Sequence, residues 1–107
     1  MKPLDHGRIA ADFAAAVNMA ADELEAWLET AESKCVGFKR DGGESVGHAS
    51  GRKIVGLLRQ GPSGDADYAH MRKVVGFIRR HRAQEPANMV TSRWRYSLMN
   101  WGHDPLK

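Results

Sequence analysis

The sequence predicts an all-α fold, a compact bundle of about five helices built by residues 1–107 as a single domain. Three observations predict it. Apolar residues recur three and four apart in successive segments, which gathers them on one side of a helix with about 3.6 residues per turn. No segment shows the sustained alternation or the β-branched runs that a sheet requires. Glycines and prolines cut the chain where helices would end, as at Gly42-Gly43, at Gly61-Pro62 and between Gly102 and Pro105. With 42% hydrophobic side chains in 107 residues, the chain can fill one modest core and not two.

The first helix is expected over residues 5–17, where Ile9, Phe13 and Val17 stand four apart with alanines between them. The second covers ADELEAWLETA, with Leu24, Trp27 and Leu28 on one stripe, and the two should pack on each other. Residues 33–43, SKCVGFKRDGG, have no period and are expected to form a loop with Phe38 turned inward. A third helix begins near Glu44 and runs to Arg59, where Gly61 and Pro62 stop it. Ser63 or Asp65 can cap a fourth that reaches about Ala83, with Tyr68, Met71, Val75 and Ile78 toward the core. Thr91 or Ser92 can cap a short fifth helix, with Trp94, Leu98 and Trp101 on its apolar stripe and Gly102 as its end. Short links should make neighbouring helices roughly antiparallel.

Charge is unevenly spread. Residues 1–33 carry seven acids and two bases, whereas residues 34–107 carry six acids and fourteen bases. That asymmetry favours a polyanionic partner for the basic part, and equally an internal pairing of the two parts. No uncharged run approaches membrane-spanning length, and the lone Cys35 cannot form an internal disulfide. Both features lead us to expect a cytoplasmic protein.

The third and fourth helices repeat a phrase. RKIVGLLR at 52–59 and RKVVGFIR at 72–79 share five identities and three conservative exchanges at an offset of 20 residues. At about 100° per residue, Arg72, Lys73, Arg79 and Arg80 fall within an arc of roughly 120° with Gly76 at its middle. Arg52, Lys53, Gly56 and Arg59 repeat the arrangement. Cations one turn apart can neutralise successive phosphates of a nucleic-acid backbone, and a glycine between them admits close approach. The alternative is an ordinary solvated basic face whose glycines let helices pack tightly.

Two motifs are imitated and fail. A phosphate loop needs G-x-x-x-x-G-K-[ST] after a strand; here Arg52 follows Gly51, and Ile54 stands where a hydroxyl should be. The string G-E-S-V-G at 43–47 matches a serine elbow, but that turn belongs on a large α/β sheet, so Ser45 is not expected to be a nucleophile. What remains is a helix whose Gly43, Gly47 and Gly51 form a smooth strip against a neighbour, and whose amino end could hold one phosphate. The five histidines show no zinc-ligand spacing, and His48 and His70 are expected to be polar partners at helix junctions. No paired carboxylates suggest acid–base chemistry.

At GESVGHASGRKIV, DYAHMRKVVGFIRRH and SRWRYSLMNWGHDPLK, the sequence resembles a family of small bacterial and fungal proteins classed as a domain of unknown function, some members of which carry a DNA-binding label. The resemblance runs from about Phe13 to Lys107. It departs from the family pattern at Ala20 and Ala21, where relatives have Thr-Pro, so that capping of the second helix should be weak or fall to Asn18 or Asp22. It departs again at Gly56, where relatives often have an acid.

Taken together, these readings predict a small helical nucleic-acid-binding protein, helix-turn-helix-like in outline but without a recognition helix. Double-stranded DNA is the expected partner, contacted through its phosphates by Arg52, Lys53, Arg59, Arg72, Lys73, Arg79 and Arg80. Such a protein would sit with the nucleoid. Neither catalysis, a cofactor, a metal, a membrane nor a small-molecule substrate is expected. The other class open to the sequence is a protein-interaction or stress-associated module, whose basic face meets an acidic partner or the acidic third of a second copy in a homodimer.

Overall fold

The computed structural model describes residues 4–37, 39 and 43–107. Among them the secondary structure is entirely helical, in six elements: α1 (His6–Ala16), α2 (Ala21–Leu28), α3 (Ala31–Cys35), α4 (Val46–Gln60), α5 (Asp65–Arg82) and α6 (Arg93–Asn100). The short α3 lies partly in the segment expected to be a loop. Thr30 starts it, its hydroxyl accepting the Ser33 N–H at 3.1 Å. Phe38, expected to turn inward, lies outside the described residues.

Local chemistry accounts for most boundaries. Asp5, Ser45 and Ser92 cap α1, α4 and α6, each accepting the N–H three residues on, from Arg8, His48 and Arg95. Gly61 and Gly102 take the left-handed φ values of 77° and 82° that end α4 and α6. Two expected caps differ. Gly64, not Ser63 or Asp65, occupies the cap position of α5, and Ser63 instead donates its N–H and hydroxyl to Asp67 at 2.9 and 3.0 Å. Ala20 leads into α2 with no side-chain acceptor, and Glu23 reaches back to the Ala20 N–H at 3.2 Å. Asn18 does not cap α2 because both ends of its amide are taken by the Asp104 backbone, at 3.0 and 2.8 Å.

Packing departs from the order of the chain. The main partners are α1 with α5 and α2 with α4, rather than α1 with α2. The link between α1 and α2 is pinned by the C-terminal turn, since the Asn18 and Met19 N–H groups both donate to the Gly102 carbonyl at 3.1 and 3.2 Å. The two repeated helices therefore each lie on a helix of the N-terminal third, α5 on α1 and α4 on the acidic α2, and meet each other less than they meet those partners. Leu24, Ile54, Val74 and Leu98, fully buried from four different helices, centre the shared core; each is worth about 1.5–3 kcal/mol of hydrophobic stabilisation. The repeat diverges in its last turn. Leu57 is buried and Leu58 exposed in α4, whereas Phe77 is half-buried and Ile78 buried in α5.

Residues 101–107 act as a clasp on this frame. His103 Nδ1 lies 2.6 Å from the Ala16 carbonyl, and Arg95 holds the Asp104 carboxylate through two contacts at 3.2 and 3.1 Å. Burial pushes the Asp104 carboxyl up, but Arg95 and the Leu106 N–H outweigh it and hold the group below its usual range. No helix among the described residues is long and apolar enough to cross a membrane.

Candidate functional site

The seven cations of the repeated phrase divide into two sets. Arg52 donates from Nε and Nη2 to Glu44 at 2.8 and 2.5 Å, and His48 meets the same carboxylate, whose pKa is thereby lowered to about 2. Arg59 forks between Glu25 at 2.9 Å and Asp22 at 2.7 Å, which raises its own pKa. Arg79 lies 3.6 Å from Asp12. The acids on Arg59 and Arg79 come from the first thirty-three residues, as does Glu23, which holds Lys107. Internal pairing between the acidic and basic parts of the chain, one of the two readings of the charge asymmetry, is therefore present.

Lys53, Arg72, Lys73 and Arg80 form the second set and make no ion pair among the described residues, although Asp67, held below its ordinary range first by hydrogen bonds from Ser63, also feels the Lys53 charge. Helical geometry explains the division. On each repeated helix one edge of the basic arc faces an acidic helix: Arg59 reaches α2 from α4, and Arg79 reaches α1 from α5. The opposite edge, with Lys53 on α4 and Lys73 on α5, opens on one cleft whose walls include Ser50, His70 and Trp101. Arg80 continues this edge into an adjoining cavity floored by Phe77 and Trp101. Arg72 stands apart, in a groove between α5 and α1 that also contains Arg79, Arg8, Asp5 and Asp12.

The cleft is positive enough to act on a neighbouring group. His70 Nε2 lies 3.0 Å from Ser50 Oγ, and burial first, then Lys53 and Lys73, pushes the imidazole pKa below its ordinary value. His48 sits, as expected, at a helix junction, with Nε2 2.7 Å from the Leu28 carbonyl.

The glycines have separable roles. A Cβ on Gly47 would stand 2.8 Å from Trp101 Nε1, and one on Gly51 would stand 2.7 Å from Leu28 Cδ2 and press on the Asn100 carbonyl. These two form the expected smooth strip, against the end of α6 and against α2. Gly76 is not the bare patch expected of it, because the Arg80 guanidinium lies over it, 3.0 Å from where a Cβ would be. Gly56 faces open space. Ser45 is buried and its hydroxyl accepts the His48 N–H, a capping role.

One feature was not foreseen from the sequence. Five rings stack in a row: His70 with Trp101 at 6.4 Å, Trp101 with Phe77 at 4.3 Å, Phe77 with His81 at 5.0 Å and His81 with Trp94 at 6.3 Å, all within 17° of parallel. His70, Phe77 and His81 are spaced i, i+7, i+11 on α5, and Trp94 and Trp101 are seven apart, so the signal was present as two matching stripes. Among the described residues no group of three or more His, Cys, Asp or Glu could hold a metal ion.

A family model described as "Protein of unknown function (DUF3140)" matches residues 12–99, which leaves the whole C-terminal clasp outside the matched stretch. No curated protein and no solved structure matches the chain. The match takes in both repeated helices, α2, the end of α1 and nearly all of α6, and on that extent the chain belongs to the DUF3140 family.

Proposed function

We propose that this protein binds nucleic acid, double-stranded DNA in the first instance, by phosphate contacts with weak sequence preference. The observation that carries the reading is the set of three unpaired cations, Lys53, Lys73 and Arg80, contributed by both copies of the repeated phrase to one continuous cleft edge. Arg72 adds a fourth from the far side of the same α5 arc. Arg52, Arg59 and Arg79 contribute less, because each would have to leave a carboxylate to meet a phosphate. The acids that a charge-exchanged homodimer would use are engaged within the chain, Asp22 and Glu25 on Arg59 and Asp12 on Arg79, which weighs for the nucleic-acid reading over self-association. Such binding would place the protein on the nucleoid.

The test is fluorescence anisotropy on a random duplex across a salt series. Four phosphate contacts predict a log–log slope near −3.6, at about −0.9 per contact. Neutralising Lys53, Lys73 and Arg80 to Gln should bring the slope to about −1, while Arg52→Gln with Arg59→Gln should change it by less than about 1. Binding that ignores salt, or that survives the triple change intact, refutes the proposal.

A further inference from the structure

One part of the cleft is too small for a duplex and is built differently from a phosphate track. It is a cavity of about 300 Å³ at the amino end of α4, with Val46, Gly47, Lys73, Phe77, Arg80 and Trp101 in its walls. Trp101 is 5% exposed, yet its indole N–H has no acceptor among the described residues. The other two indoles do, Trp27 donating to Asn100 Oδ1 at 2.7 Å and Trp94 to the His81 carbonyl at 2.6 Å. Buried indole N–H groups ordinarily find a partner. Nor is this one sealed in, since the only side-chain polar atom both enclosed and unpaired among the described residues is His81 Nε2. The Trp101 N–H therefore opens on the cavity.

Other donors converge on the same place. Gly47 has no side chain to separate the indole nitrogen from the first turn of α4, where a Cβ would come within 2.8 Å of it. The Val46 and Gly47 N–H groups precede the first intrahelical hydrogen bond of this 15-residue helix and carry the positive end of its dipole. Lys73 and Arg80, seven residues apart on one edge of α5, bring two cations without carboxylates. The remaining wall is mostly apolar, with Val46 and the Phe77 ring that stacks on Trp101 at 4.3 Å, and is completed by Gly37, Ser97 and Asn100. Donors and cations at one end with an aromatic wall beside them describe a ligand with one oxyanion on a flat apolar body, in a cavity at the small end of the range for such sites.

We propose that this cavity binds a small organic anion, a carboxylate or phosphate group carried on an aromatic body, with Trp101, Lys73, Arg80 and the amino end of α4 holding the oxyanion. The inference does not depend on nucleic-acid binding. It is tested by following the three indole N–H resonances in ¹H–¹⁵N spectra, with far-UV circular dichroism as a check that each variant is folded. The probes are 2-naphthoate for the carboxylate source and adenosine monophosphate for the phosphate source, with 2-naphthylmethanol and adenosine as their neutral counterparts. The expected result is a downfield shift of the Trp101 resonance with one of the anions, with those of Trp27 and Trp94 in place, and a Kd weakened about tenfold or more in Lys73→Gln/Arg80→Gln. The proposal is overturned if neither anion at millimolar concentration moves the Trp101 resonance, if a neutral counterpart moves it as far, or if the double variant binds as tightly as the wild type.

Discussion

Truncating Asn100 to Ala should cost more stability than any other polar change in this protein. Its side chain is 1% exposed and ties α6 to two other helices. Oδ1 accepts from Trp27 Nε1 at 2.7 Å and from Ser33 Oγ at 2.5 Å, and Nδ2 donates to the Ser33 carbonyl at 3.0 Å. Alanine leaves three groups without partners. Each buried polar group so orphaned costs about 1–3 kcal/mol. Ser33 is fully buried and bears two of them, while Trp27 is half-buried and can turn toward water, so the expected loss is about 4 kcal/mol. Against a total of about 5–15 kcal/mol for a domain of this size, that is a large fraction. It should lower Tm by about 15–30 °C at roughly 4–8 °C per kcal/mol. Urea and thermal unfolding followed by circular dichroism measure it. Ser33→Ala alone should cost about 1 kcal/mol, and added to Asn100→Ala it should cost less than the sum, because the hydroxyl is then no longer an orphan. A loss under about 1 kcal/mol for Asn100→Ala, or strict additivity, would refute the claim that this network acts as a unit.

Two further predictions rest on single sites. Gly51→Ala should destabilise by about 1–3 kcal/mol, because the new methyl meets Leu28 and the Asn100 backbone carbonyl, whereas Gly56→Ala, in open space on the same helix, should stabilise by about 0.5–1 kcal/mol; urea midpoints that move in the same direction would contradict the packing described. For Glu44, a carboxyl held down to about 2 by Arg52 and His48 adds stability above its unfolded value near 4.5 and loses it as pH falls toward 2. The difference in Tm between wild type and Glu44→Gln should thus be present at pH 6, worth no more than about 1 kcal/mol for so accessible a pair, and should vanish by pH 2.

Much of the helical frame was legible because its signals are local. The i, i+4 stripe of Ile9 and Phe13, the Ser92 cap and the stops at Gly61 and Gly102 each depend on residues within one turn. Partner choice is not local. The stripes of α1 and α2 show that each helix has an apolar side, but nothing in their period distinguishes packing on each other from packing on α5 and α4. The five-residue α3 was invisible because it is too short to show a period. The candidate site divides along the same line. Helical geometry placed Arg72, Lys73, Arg79 and Arg80 on one arc correctly, but the arc has two edges, and only the tertiary arrangement puts Asp12 beside one and the cleft beside the other. The free N–H groups at the amino end of α4 were legible as a place that could hold one phosphate, while the Trp101 indole beside them required knowing where α6 ends in space.

This division of edges turns a net charge of +3 into a local field. Arg79 and Asp12 cancel each other beyond about one Debye length, whereas Arg59 between Asp22 and Glu25 offsets only one of two acids and leaves that flank negative. Lys53, Lys73 and Arg80, which those acids do not reach, leave a local excess of positive charge along the cleft edge. The pKa of His70, lowered first by burial, is lowered further by Lys53 and Lys73. The two proposed ligands then draw on the same two groups, since Lys73 and Arg80 border the small cavity and also form the edge a duplex would meet. If both bind, their free energies are coupled, and whatever factor a small anion takes from duplex affinity, the duplex takes from the anion. If both ligands bind, such a cleft would release a duplex in answer to a small anion, through direct competition for two side chains and with no change of fold.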